Sequence, residues 1–291
     1  MSHATHTESK PSTPKPPTFF ERNEFLLRRL HSLSGLIPVG AYMCVHLLTN
    51  ATVLDSPATF QGNVYKIHAL GKILPIVEWA FIFIPILFHA IFGMIIIRSG
   101  VSNTGKYQTG ANIRYMLQRI TGMLAFAFIM WHVFHMHGWF HNESWVEMAE
   151  GVGGAKFKAY NATSTAAAAL SANLIVPLLY AIGILSCVFH LANGIWTMGI
   201  TWGLWVSPAA QARANWISIA FGLGLSVVGL SALTGMRNVD IDAARQVEDT
   251  MYNSKVASGE LQPNEHKRVH EEHAADAEGH EAASHDEAIN R

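Results

Sequence analysis

Apolar residues run nearly unbroken through five stretches of the chain, about 30–53, 75–98, 115–138, 173–198 and 214–236, with polar segments between them. A bilayer core of ~30 Å takes roughly 20 residues of helix, so each stretch predicts one membrane-spanning helix. The flanks read differently. Residues 1–21 are polar and Pro-rich and are expected to lack structure, and 54–74 form a polar loop with a short amphipathic turn around Tyr65 to Leu70. Residues 139–171 make a longer loop, first aromatic and acidic, then rich in small residues, with a chance Asn-Ala-Thr at 161–163. From Arg237 the chain is charged, and 270–285 is a His-rich, low-complexity run expected to be solvated. The expected organisation is an N-terminal segment 1–21, a five-helix membrane domain 22–236 and a charged tail 237–291, in an all-α integral membrane bundle.

Composition narrows the class. Half of the residues are hydrophobic, 14% are charged and the mean hydropathy is +0.20, too apolar for an ordinary soluble domain. The net charge of −1 argues against nucleic acid as a partner. Cys44 and Cys187 lie inside apolar runs with no CxxC nearby, which argues against disulfides, zinc ribbons and covalently attached haem.

The chemistry is carried by histidines. Phe-His-x-x-x-Gly occurs twice, as Phe88, His89, Gly93 and as Phe189, His190, Gly194. Four residues is about one helical turn, so each glycine lies beside its histidine on one helix face and leaves room for a flat ligand. His46 and His132 sit in two further apolar helices. Polar groups in lipid are costly and mark function, and paired imidazoles from facing helices are a known way to hold haem. Four such histidines therefore point to two haems b with bis-histidine ligation. His135 and His137 compete with His132 but lie nearer the membrane surface.

Lys and Arg near the span ends set the orientation. One side receives Arg22, Arg28, Arg29, Arg98, Lys106, Arg114, Arg119 and Arg213; the other receives Lys66, Lys72, Lys156 and Lys158. This puts the N-terminus in the cytoplasm and the C-terminus outside. At ~1.5 Å per residue, His46 and His132 then share an outer level, and His89 and His190 an inner one roughly 11 Å away. Depth alone thus pairs His46 with His132 and His89 with His190.

The other candidates carry two readings each. Gly35, Gly93, Gly122 and Gly194 either clear a haem face or let helices approach closely. Arg28, Arg29, His31 and Arg119 are orientation charges, partners of haem propionates, or part of a quinone pocket. Glu78, at the outer start of the second span, is a helix-dipole partner or the proton acceptor for a quinol oxidised near the outer haem.

RRLHSLSGLIPVG with VHLLTN, VEWAFIFIPILFHAIFG, LQRITG with MWHVF, and FHLANGIWTMGITWG closely resemble the single-chain, five-helix, dihaem cytochrome b anchors of bacterial succinate:menaquinone oxidoreductases, over about 22–236. The resemblance implies that His46, His89, His132 and His190 are axial ligands and that Glu78 matches an acid implicated in quinone chemistry. It implies two soluble cytoplasmic partners, a flavoprotein and an iron-sulfur subunit, on a chain of the bacterial cytoplasmic membrane with no succinate site of its own. A higher oligomer of the complex is compatible with it. The 139–171 loop and the His-rich tail depart from the pattern. The reading is therefore a succinate dehydrogenase anchor passing electrons through two haems b to menaquinone or another quinone. Its rivals are the same scaffold as a quinol:fumarate reductase anchor, and a transporter using histidines as relay sites; a hydrogenase-type cytochrome b fits the repeated FHxxxG and the RRLHS start less well.

Overall fold

The computed structural model describes residues 16–99, 105, 109–140 and 142–269, and among these every regular element is helical. Five helices are long and apolar enough to cross a membrane. In chain order the helices are α1 (Phe19–Leu54), α2 (Pro57–His68), α3 (Gly71–Arg98), α4 (Gly110–His137), α5 (Glu143–Gly151), α6 (Ala162–Ser171), α7 (Ile175–Thr201), α8 (Pro208–Arg237) and α9 (Ile241–Ala257). The spans α1, α3, α4, α7 and α8 cover the five apolar stretches. Large apolar side chains such as Phe25, Val45, Phe81, Leu178 and Trp216 face outward, as they do where lipid is the solvent.

Helix ends follow local chemistry. Thr18 and Glu21 form a capping box at the start of α1, Thr109 and Ser207 cap α4 and α8, and Gly138 in the left-handed region (φ 72°) ends α4. The cap at Thr18 corrects one expectation. Residues 19–21, read as unstructured, are the first turn of α1, while 1–15 and the 270–285 histidine run lie outside the described residues.

Two prolines mark the spans internally. Gly35–Gly40, which contains Pro38, and Trp79–Phe83, just before Pro85, are wound as π-helix, and the two segments pack against each other. Proline has no N–H and its ring crowds the preceding turn, and a wider turn absorbs both effects. α7 is the central span: it touches α4, α8, and the π-turn of α1, while the first half of α1 packs on the second half of α3.

Beyond the far ends of the spans, α2, α6 and α9 pack into a polar-lined cap. Here the structure differs from the loop and tail expected from the sequence. Ala162 and Ala167 of the small-residue run are fully buried, and α9 builds the first part of the charged segment into this cap. Its centre is Glu248, 0% exposed, which accepts from the backbone N–H of Thr163 (2.5 Å) and Ser164 (3.1 Å) and from the Ser164 hydroxyl (2.6 Å). The carboxylate thus caps α6 from another helix, which removes two orphan donors of its first turn. Gln61 does the same for the preceding turn, donating to Ala159 O and accepting from Ala162 N. Asn161 is 1% exposed and bonds Asp249 and the N–H of Val269, so the Asn-Ala-Thr at 161–163 is a packing element.

Candidate functional site

The four span histidines meet in two pairs. His89 of α3 faces His190 of α7 with ring centres 6.0 Å apart, and His46 of α1 faces His132 of α4 at 5.8 Å. A metal held between two imidazoles at ~2 Å from each puts the ring centres roughly 6 Å apart. Both gaps fit that geometry. Among the described residues no three His, Cys, Asp or Glu side chains are placed to hold a metal ion between them, so each pair suits a metal whose remaining ligands arrive with it, as in a porphyrin.

The His89–His190 pair is built by reciprocal packing. His89 Nδ1 lies 2.9 Å from the carbonyl of His31, and His190 Nδ1 lies 3.0 Å from the carbonyl of Gln118. A carbonyl only accepts, so Nδ1 carries the proton in each ring and Nε2 keeps its lone pair for a ligand. The glycines make this approach possible. A Cβ on Gly35, one turn after His31, would stand 2.2 Å from His89 Cε1, and one on Gly122, one turn after Gln118, 2.8 Å from His190 Cε1. In return Gly93 lies against the His31 ring and Gly194 near the Gln118 amide, where a Cβ would be 3.3 Å and 3.7 Å away. Each glycine therefore serves the polar residue of the helix opposite, a cross-helix relation that in-helix spacing did not reveal. His31 also stacks on His89, with ring centres 4.1 Å apart and planes 10° off parallel.

The His46–His132 pair is held by side chains instead. Tyr180 of α7 places its hydroxyl 3.1 Å from His132 Nδ1 and 3.0 Å from His135 Nδ1, and Asn50 approaches His46 Nε2 at 3.4 Å. Of the three neighbouring histidines only His132 faces His46. His135 stacks on Trp131, and His137 lies against Phe157.

The remaining candidates separate. Arg119 donates to the carbonyls of Ile96 and Ile97 at 3.2 and 3.1 Å, capping the end of α3. Arg29 rests over the rings of Phe25 and Trp202, and Arg28 pairs with Glu24. Glu78 is half-buried at the start of the π-turn of α3, and Tyr42 of α1 has its ring centre 5.7 Å from that of His46. Sequence reasoning missed Gln118, Asn193 and Tyr180. Gln118 had a signal, its place four residues before Gly122, matching His31 before Gly35; Tyr180 had none.

No family model matches the chain. The chain is 32% identical over 216 residues to the succinate dehydrogenase cytochrome b558 subunit of Bacillus subtilis (strain 168), a match covering 72% of this chain and 96% of that protein.

Proposed function

The chain belongs to the succinate dehydrogenase cytochrome b558 family, and from that premise we propose that it binds two haems b, one at each histidine pair. It is the multi-pass membrane-anchor subunit of an oxidoreductase complex. The observation that carries the finer reading is the pair of matched gaps, 6.0 and 5.8 Å between ring centres, each closed by imidazoles from different helices. Haem b, when bound there, supplies one-electron transfer between an iron-sulfur subunit, itself fed by a flavoprotein, and a quinone such as menaquinone.

The chain's own residues do the rest. His89, His190, His46 and His132 would hold the iron through a ring nitrogen each, and the carbonyls of His31 and Gln118 fix the tautomer of the first two. Gly35 and Gly122 admit the rings, while Gly93 and Gly194 make room for the His31 ring and the Gln118 amide. Arg29, His31 and Arg119 gather at the N-terminal end, which we read as cytoplasmic, with the α2–α6–α9 cap and the C-terminus outside. Glu78 exchanges protons with the quinone, donating when the quinone is reduced and accepting in reverse.

The test is the reduced-minus-oxidised spectrum with haem quantified per chain, purified with its partner subunits. Wild type should hold two haems b, and His89→Ala and His132→Ala one each, with different components lost. Wild type without haem would overturn the reading and favour the histidine-relay transporter.

A further inference from the structure

Arg114 lies in α4 one turn before Gln118, and its contacts lead toward only one histidine pair. Its Nε donates to Asn193 Oδ1, its Nη1 donates to Asn215 Oδ1 at 2.5 Å, and its guanidinium stacks over the Trp196 ring at 4.0 Å. Asn193, 3% exposed and one turn after His190, passes the contact on: its Nδ2 donates to Gln118 Oε1 at 2.6 Å. The Gln118 amide then donates to His190 O at 3.1 Å and sits 3.5 Å from His190 Nε2. An unbroken chain, Arg114–Asn193–Gln118–His190, thus joins a guanidinium to a histidine. His31, the counterpart of Gln118 on α1, heads no such chain: it stacks on His89.

Both oxygens facing Arg114 belong to neutral amides. Among the described residues no carboxylate forms an ion pair with it, and the sequence near this end of α4, α7 and α8 carries no Asp or Glu. A shallow, open cavity of about 360 Å³, lined by Gly110, Arg114, Trp196, Gln211 and Asn215 among others, lies beside it. Arginine stays charged in any protein environment, so this is a fixed positive charge held by orienting dipoles.

We propose that the charge of Arg114, held in place by Asn193 and Asn215, raises the reduction potential of the haem at His89 and His190. The proposal rests on the ligand assignment above. Reduction adds one negative charge to the iron centre, and a nearby cation in a low-dielectric site favours the reduced form. A unit charge roughly 10 Å away at an effective dielectric of ~20 changes the reduced-to-oxidised ratio on the order of tenfold. The other pair, roughly 11 Å farther away, should feel about half of that interaction, on the order of a fourfold change in the same ratio.

The experiment is a spectroscopic redox titration of the intact complex. In Arg114→Gln the component that His190→Ala removes should shift downward, by on the order of a tenfold loss in reduced-to-oxidised ratio, with the other component shifting clearly less. Arg114→Lys, which keeps the charge and loses the fork of hydrogen bonds, should retain most of the wild-type value. Should Arg114→Gln fail to assemble, Gln211→Glu places a carboxylate in the same cavity and should produce the same downward shift. An unchanged component in both neutralising variants, an equal shift of both components, or a lysine variant as low as the glutamine one would overturn the proposal. If wild type lacks two titrating components, or His190→Ala removes neither, the ligand assignment has failed instead.

Discussion

The two histidine pairs span almost the same gap, yet they are held by different means. At His89–His190 the acceptors are backbone carbonyls, those of His31 and Gln118, each one turn before a glycine that lets the ring in. At His46–His132 the partners are side chains, Tyr180 and Asn50, and Tyr180 is shared with His135. A helix carbonyl cannot rotate away, whereas a phenol or an amide can, so the first pair is locked by the fold and the second is adjustable. Charge sharpens the contrast. The N-terminal end carries Arg28, Arg29, Arg98, Arg114, Arg119 and Arg213 against Glu21 and Glu24, while Glu78 and the acids of the cap gather at the far end.

The largest test of the contrast is steric. Gly35→Leu would drive a side chain into a space where even a Cβ stands 2.2 Å from His89. It should displace the ring, abolish haem at that pair and leave the other haem in place, as read by haem per chain. Overpacking of this kind costs about 1–3 kcal/mol and costs more when the neighbour is pinned, as His89 is. Gly194→Ala meets only the Gln118 amide at 3.7 Å and should keep both haems. Equal loss from both substitutions would break the distinction between a carbonyl-locked ring and an open face.

Next in size is the cap. Glu248→Ala leaves the N–H groups of Thr163 and Ser164 buried without acceptors, at roughly 1–3 kcal/mol for each such group. Hydrogen exchange should rise across α6 and α9 and remain at wild-type rates around His89 and His190. Exchange rising equally at both ends would show that cap and spans unfold as one unit.

A smaller effect is expected at Tyr180→Phe. Loss of the hydroxyl costs about 1 kcal/mol and frees His132 and His135. The absorption band of the haem at His132 should shift, with that of the haem at His89 unmoved. Movement of the His89 component alone would reverse the assignment.

The smallest is a pH effect confined to the cap. Burial raises the Glu248 carboxyl above its ordinary range, against the hydrogen bonds from Ser164 and Thr163 that lower it. The folded cap therefore binds a proton more tightly than the unfolded chain, so the added stability is fully present below the ordinary glutamate value of ~4.3 and is lost as pH rises through the higher folded value. Opening of α9 relative to α7, followed by exchange corrected for intrinsic rate, should slow on acidification. Glu248→Gln should remove that slope.

How much of this was legible follows from what leaves a mark in sequence. Five spans, four histidines and their pairing by depth were readable because a helix in lipid is apolar throughout, rises by a constant amount per residue, and makes any buried imidazole conspicuous. The capped first turn at Thr18 to Glu21 was readable in principle from its Thr-x-x-Glu spacing and was overlooked in a Pro-rich context. The acceptors of the ring hydrogen bonds were not readable, because a backbone carbonyl is the same at every residue. Nor were the reciprocal glycines, the Arg114–Asn193–Gln118 chain, Tyr180 between two histidines, or Glu248 at the start of α6. Those contacts join residues far apart in the chain, and they depend on how neighbouring helices are rotated about their own axes. Sequence fixes how deep each histidine lies along its helix; only packing decides which face it turns, and to whom.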